Sequence, residues 1–144
     1  MKVLEQNILG NHLSLIKMSK FLSINKKIEN FDKKINISGD KSLSIRWVLL
    51  ASQAIGKSRA YNLLMSEDVL AAIESVKKLG IKVTINKNYC EVFGNGINGF
   101  KYTKNLTINA KNSGTLGRLI LGLLIKSPKK IKLIGDKSLS KRDF

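Results

Sequence analysis

Six residues, GDKSLS, occupy positions 39–44 and recur at 135–140, and each copy is followed by one residue and an arginine, Arg46 and Arg142. The stretches leading in, KINIS at 34–38 and IKLIG at 131–135, alternate in the manner of a half-buried strand. Past the first copy, Leu43, Trp47, Leu50 and Ala54 fall at helical spacing, and Gly56 marks a stop. A turn that twice joins strand to helix reads as an internal duplication of a strand–turn–helix unit and confines the chain to α/β architecture.

The remaining segments keep the alternation. SRAYNLL at 58–64 reads as a strand, and the clearest helix follows it. Ser66 is placed to cap that helix, and Glu67 and Asp68 complement the positive end of its dipole. Val69, Ile73 and Val76 form its buried stripe, Lys77 and Lys78 sit in its last turn, and Gly80 ends it. IKVTI at 81–85 and YCEVFG at 89–94 are predicted as strands joined by an Asn-rich turn. After the loop GNGING, LTINA at 106–110 reads as a strand and 115–126 as a buried helix, apolar on nearly every side. The expected order is β-α-β-α-β-β, then β-α-β and the start of another helix. Phe144 falls soon after that last helix begins, so the sequence is expected to be part of a longer one. Met18 is a plausible second start, which would make the first 17 residues an extension of little structural value.

Length and composition suit one soluble domain: 144 residues, 43% hydrophobic and 25% charged. The net charge of +16 raises nucleic acid, an anionic membrane or an anionic small molecule as partner. Lysine dominates that charge alongside abundant Ile and Asn, a mixture that an AT-rich coding sequence also produces, so its placement matters more than its sum. The single cysteine, Cys90, excludes an internal disulfide framework and fits a reducing compartment. MKVLEQNILG lacks an apolar core behind a basic start, and LILGLLI at 119–125 is too short to span a bilayer. A cytoplasmic location is the expectation.

A strand that passes through glycine into a helix leaves unpaired backbone N–H groups at the helix start, where an anion can sit. In the first copy Ser42 and Arg46 are four residues apart and share a helix face, with Lys41 at the mouth. Lys137, Ser138 and Arg142 repeat the set. An ammonium, a hydroxyl and a guanidinium fork together suit a carboxylate or phosphate ligand that also carries hydroxyls. Only four of the 26 basic residues are arginine, and Arg46, Arg118 and Arg142 each fall just inside a helix start. KNSGTLGR at 111–118 is a third such turn: Asn112, Ser113 and Thr115 can cap or hydrogen-bond, and Gly114 permits close approach to the backbone.

Two other patterns carry less. ASQAIGKS at 51–58 matches a relaxed phosphate-loop pattern, but helix precedes it and strand follows, the reverse of the required order. Cys90 has no histidine near it in sequence, His12 being the chain's one histidine, and reads as a core thiol. No Cys/His cluster has zinc spacing, so no metal site is expected.

GDKSLSIR, SEDVLAAIESVKKLGIKV, KNSGTLGR and GDKSLSKR occur in an order and spacing that resemble the start of the 5-enolpyruvylshikimate-3-phosphate synthase (3-phosphoshikimate 1-carboxyvinyltransferase) family, over about residues 33–144. That resemblance implies an inside-out α/β barrel of two similar domains, built from β-α-β-α-β-β units with helices inside. Here only the first unit and part of the second would be present. Residues 1–38 would form an N-terminal extension and a segment crossing from the second domain, and 39–144 a partial first domain. The implied reaction transfers the enolpyruvyl group of phosphoenolpyruvate to the 5-hydroxyl of shikimate 3-phosphate and releases phosphate, on the way to chorismate and the aromatic amino acids. No cofactor or metal is implied, the partners are those two small molecules, neither nucleic acid nor membrane is involved, and the full-length protein would be a monomer. Carried across by motif, Lys41, Ser42 and Arg46 would hold shikimate 3-phosphate. Lys41, Asn112, Gly114 and Arg142 would line the phosphoenolpyruvate site, with Lys41 also the catalytic candidate. Glyphosate inhibition is implied as well, since Gly114 leaves room beside phosphoenolpyruvate.

The chain departs from the family pattern at Asp143, where proline is usual, which puts a carboxylate beside the Arg142 anion site. The acidic groups and lysine that the family uses for proton transfer lie later in the fold, so this chain alone is expected to be inactive. Two other readings stand beside it. The related UDP-N-acetylglucosamine enolpyruvyl transferase shares the fold but carries asparagine after the lysine, where this chain has Ser42. A small basic nucleic-acid-binding domain would need basic residues interleaved with exposed aromatics, and the aromatics here are few and scattered.

Overall fold

The computed structural model describes residues 17–18, 21–22, 32, 34–103 and 105–143. The chain divides into two compact units, Met1–Asn36 and Ile37–Phe144. In the first, β1 (Lys17–Met18) and β2 (Phe21–Leu22) pair antiparallel, with Lys17 opposite Leu22. Most of the expected extension lies outside the described residues.

The second unit opens on α1 (Lys41–Gln53), followed by β3 (Ile55–Tyr61), α2 (Glu67–Lys78), β4 (Lys82–Ile85) and β5 (Tyr89–Asn95). The three strands form an antiparallel sheet in the order β3-β5-β4, with Arg59 opposite Glu91 and Val83 opposite Val92. Then β6 (Leu106–Asn109) and β7 (Ile131–Ile134) pair in parallel, Ile108 opposite Leu133, and α3 (Gly114–Leu124) makes the crossover that a parallel pair requires. Among the described residues no helix is long and apolar enough to cross a membrane.

One core serves all of this. Ile45, Val48 and Leu49 of α1 meet Val69, Ile73 and Val76 of α2, Val92 of β5, Ile108 of β6 and Leu116 and Ile120 of α3. The α2 stripe is the one its spacing predicts, and Gly80 ends that helix with φ +86, letting Ile81 N donate to Val76 O at 3.0 Å. Cys90 is buried in β5, and desolvation pushes its thiol pKa up, as befits a core position.

Five sequence expectations are corrected. Residues 34–38 form no strand among the described residues; the segment has no regular secondary structure and is exposed. In α1 the buried face is Ser44, Ile45, Val48, Leu49, Ala51 and Ser52, while Leu43 and Leu50 are 62% and 69% exposed. The helix is apolar on two sides, and the serines reach the interior because Ser44 Oγ donates to Asp40 O (2.6 Å) and Ser52 Oγ to Leu49 O (2.6 Å). Gly56 does not stop α1; the helix ends at Gln53 with Ala54 as its C-cap, and Gly56 lies inside β3, which starts earlier than expected. Ser66 stands at the N-cap of α2 but makes no side-chain cap bond, and its hydroxyl is buried without a partner. Helix α3 is buried on one face only, with Leu119, Leu121 and Ile125 exposed.

Two features of the sheet yield measurable consequences. A Cβ at Gly94 would lie 2.3 Å from both Ala51 O and Ala54 O, so glycine is what lets β5 close against the end of α1. Gly94→Ala is expected to lower unfolding free energy by about 3 kcal/mol, read from urea denaturation. On the same strand, Glu91 accepts from Arg59 Nε (3.0 Å) and Nη2 (2.6 Å), with Lys57 Nζ at 3.4 Å. The Arg59 bond, more than the Lys57 charge, holds the Glu91 carboxyl below the usual carboxylate range against the opposing effect of desolvation. A depressed carboxyl contributes stability that is fully present above its ordinary pKa of about 4.3 and is lost as pH falls through the lowered value. The stability difference between the wild-type chain and Glu91→Gln, measured by denaturation across pH, is therefore expected to be largest near neutrality and to vanish at low pH.

Candidate functional site

The repeated turn encodes a cap. In the first copy the Asp40 carboxylate accepts from Leu43 N (2.7 Å) and Asp40 O accepts from Ser44 N (3.0 Å) and Ser44 Oγ (2.6 Å). In the second, the Asp136 carboxylate accepts from Leu139 N (2.7 Å), and Asp136 O from Ser140 N (2.9 Å) and Ser140 Oγ (2.8 Å). The residues D, L and the last S of the repeat are thus spent on turn geometry, and the Lys and first Ser side chains take no part in the cap. Beyond the cap the two copies diverge: α1 runs thirteen residues, whereas the second copy makes only a short 3-10 turn, Leu139–Lys141. The expected helix start there is corrected to that single turn.

The third turn supplies the middle of the site. Ser113, buried, caps α3 by accepting from Leu116 N (3.2 Å). Lys111 takes a left-handed φ of 54°, held by Lys111 N donating to Asn109 Oδ1 (2.9 Å) and by Asp136 N donating to Lys111 O (2.8 Å). These bonds tie the β6–α3 turn to the end of β7, so Asn112 and Arg142 meet: Arg142 Nη2 donates to Asn112 Oδ1 at 2.6 Å and to Ser138 Oγ at 3.3 Å.

A cleft of about 300 Å³ results, lined by Lys41, Asp68, Asn112–Thr115, Arg118 and Arg142. Its walls are the first turns of α1, α2 and α3 together with the second GDKSLS turn. Three helix N-termini therefore direct partial positive charge into a space that already holds Lys41, Arg118 and Arg142. A methyl group at Gly114 would lie 3.2 Å from Nη1 of both Arg118 and Arg142, so the glycine seats two guanidinium groups against the helix start. Arg118 Nη2 also donates to Asp143 O at 2.9 Å. Asp68 Oδ2 lies 3.0 Å from Lys41 Nζ, and with the lysine side chain half-exposed that pair adds little to stability.

Lys41, Asn112, Gly114 and Arg142 thus share one cleft. Ser42 and Arg46 do not line it: Ser42 is half-buried beside Lys41, and Arg46 is exposed farther along α1, its side chain making no hydrogen bond to a described residue. The inverted order at 51–58, helix then strand, is as the sequence indicates, so no phosphate loop forms there. Among the described residues no group of three or more His, Cys, Asp or Glu side chains could hold a metal ion. Asp68 escaped the sequence reading as a site residue, because a first-turn acid signals a favourable dipole and nothing local links it to a lysine 27 positions earlier.

Residues 25–143 match the family model described as EPSP synthase (3-phosphoshikimate 1-carboxyvinyltransferase). The chain belongs to the EPSP synthase family. Relatives named 3-phosphoshikimate 1-carboxyvinyltransferase from Streptococcus pyogenes serotypes M2 and M1 are each 43% identical over 108 residues, 75% of this chain. Among solved structures, EPSP synthase from Acinetobacter baumannii superposes with a TM-score of 0.67 at 33% identity over 76% of this chain. The chain spans about a quarter of the length of these relatives. The architecture is accordingly a partial unit of the inside-out α/β barrel that EPSP synthases adopt.

The shared cap has its own consequence. Asp40→Ala leaves Leu43 N unpaired at the head of α1 and is expected to cost about 1 kcal/mol, seen as a lower urea midpoint.

Proposed function

We propose that this chain supplies substrate-binding machinery for transfer of the enolpyruvyl group from phosphoenolpyruvate to the 5-hydroxyl of shikimate 3-phosphate. In that reaction a carbon–oxygen bond forms to the 5-oxygen, the bond to phosphate breaks, and the hydroxyl proton leaves with the phosphate. The observation that carries the reading is the meeting of Lys41, Asn112, Gly114 and Arg142 in one cationic cleft, in a chain of the EPSP synthase family.

Each residue then has a stated task. The Arg142 guanidinium, held in place by Asn112 and Ser138, offers its remaining N–H groups to the carboxylate or phosphate of phosphoenolpyruvate. Gly114 leaves the backbone of α3 open to that anion. Lys41 faces both substrates and polarises the oxygen at which charge develops, which makes it the catalytic candidate. Ser42, next to Lys41, and Arg46, one turn farther along α1, hold shikimate 3-phosphate. Residues 39–144 are read as part of the first domain and 1–38 as an extension and crossing segment. Because the chain spans a quarter of its relatives' length, it binds substrate without turning over alone. The partners are these two small molecules, with no nucleic acid, membrane or cofactor, and the setting is the cytoplasm, with the whole protein a monomer. No observation favours the amino-sugar or nucleic-acid readings.

Titration calorimetry of the 144-residue chain with each substrate tests this. Arg46→Lys keeps the charge and removes the fork, and is expected to weaken shikimate 3-phosphate binding by about 1–3 kcal/mol, roughly 5- to 150-fold. Arg142→Lys is expected to do the same to phosphoenolpyruvate. Unchanged affinities would remove these arginines from the site. Salt-sensitive binding to arbitrary duplex DNA, in place of either substrate, would overturn the reading. Activity is tested by transplanting residues 25–143 into the matching segment of the Streptococcus pyogenes relative, where a folded chimera is expected to retain enolpyruvyl transfer.

A further inference from the structure

Among the described residues, Asp68 is the one carboxylate lining a cleft otherwise furnished with Lys41, Arg118 and Arg142. A carboxylate facing an anion site repels the ligand unless it is engaged elsewhere, and this one is: its Oδ2 lies 3.0 Å from Lys41 Nζ. The two partners differ in rigidity. Asp68 is a short side chain, 17% exposed, in the first turn of a helix whose Val69, Ile73 and Val76 are buried in the core. Lys41 is a long flexible side chain, 52% exposed, at the first position of α1. Its ammonium has three N–H donors, and engaging one with Asp68 leaves two for a ligand.

We infer that Asp68 is a positioning residue: α2 holds its carboxylate, and the carboxylate holds the Lys41 ammonium at the cleft mouth between the α1 and α3 starts. It acts through Lys41 and does not touch the ligand. The inference rests on the anion-binding reading above and adds to it the group that sets where the lysine's charge sits. It also gives α2, which contributes no other residue to the cleft lining, a role in the site.

The test is a double-mutant cycle on the 144-residue chain, with phosphoenolpyruvate as the titrant and circular dichroism to confirm folding of each variant. Asp68→Asn is expected to weaken binding about 10-fold in the presence of Lys41 and to have no further effect in a Lys41→Met background, because the interaction it removes is already gone. Asp68→Glu, which keeps the charge on a longer stem, should restore part of the loss. In the ligand-free chain, the ¹⁵N-correlated signal of the Lys41 ammonium protons should be protected in the wild type and lost in Asp68→Asn. Tighter binding by Asp68→Asn would make Asp68 a repulsive element and overturn the inference. Equal losses in both backgrounds would mean direct contact with the ligand and overturn it too. If the wild-type chain binds no phosphoenolpyruvate, the parent reading fails and the inference with it. Binding by the wild type with no change in Asp68→Asn sinks the inference alone.

Discussion

The burial of one particular face of α1 governs the rest of this structure. That face carries Ser44, Ile45, Val48, Leu49, Ala51 and Ser52, and it packs on α2, α3 and β5 at once. Full burial of each of Ile45, Val48 and Leu49 contributes about 1.5–3 kcal/mol, enough to select this face over the Leu43 and Leu50 side. Selecting it fixes the rotation of the helix, and the rotation places Lys41 over the start of α2 within reach of Asp68. Ser44 makes a second link across the unit, accepting from Leu64 N at 3.1 Å and so holding the chain between β3 and α2 against the first turn of α1. The cleft depends on this interior arrangement of α1.

Basic residues divide into two sets with different physical work. On the sheet, Arg59 pairs with Glu91 and lies 4.4 Å over the Tyr89 ring, so its guanidinium is absorbed by structure. At the helix starts, Arg118 and Arg142 converge on Gly114, where a missing side chain and the α3 dipole leave room for an outside anion. Lysine supplies most of the +16 net charge, yet Lys41 is the one lysine among the described residues that lines this cleft. The total charge therefore says little about partner class, and the positions of four arginines say much more.

Much of the fold was legible locally. The α2 stripe, the Gly80 stop, the strands at β4, β5 and β6 and the cap of α3 all follow from spacing and turn chemistry within a few residues. Errors arose where two local solutions were equally good. Helix α1 offers two apolar faces, and the 34–38 segment alternates like a strand but has no partner among the described residues. Ser66 shows the complementary case, a residue suited to capping whose hydroxyl is buried with nothing to bond. The site was legible as a set of turns, and the resemblance assigned roles to them, but nothing in the sequence states that Asn112 meets Arg142 or that Asp68 meets Lys41.

What the sequence by itself determined is the chemistry of each turn: aspartate caps at 40 and 136, a serine cap at 113, glycine at 114, and arginine at 118 and 142. Capping and charge are local properties, fixed by residues three or four apart. What only the tertiary structure decided is which turns share a cleft. That depends on the face of α1 that is buried and on the β6–β7 pairing that carries Arg142 to Asn112, both of which are long-range competitions for apolar contact and backbone hydrogen bonds. The same competition left Ser42 and Arg46 outside the cleft that receives Lys41, because one helical rotation cannot turn all three side chains toward α3.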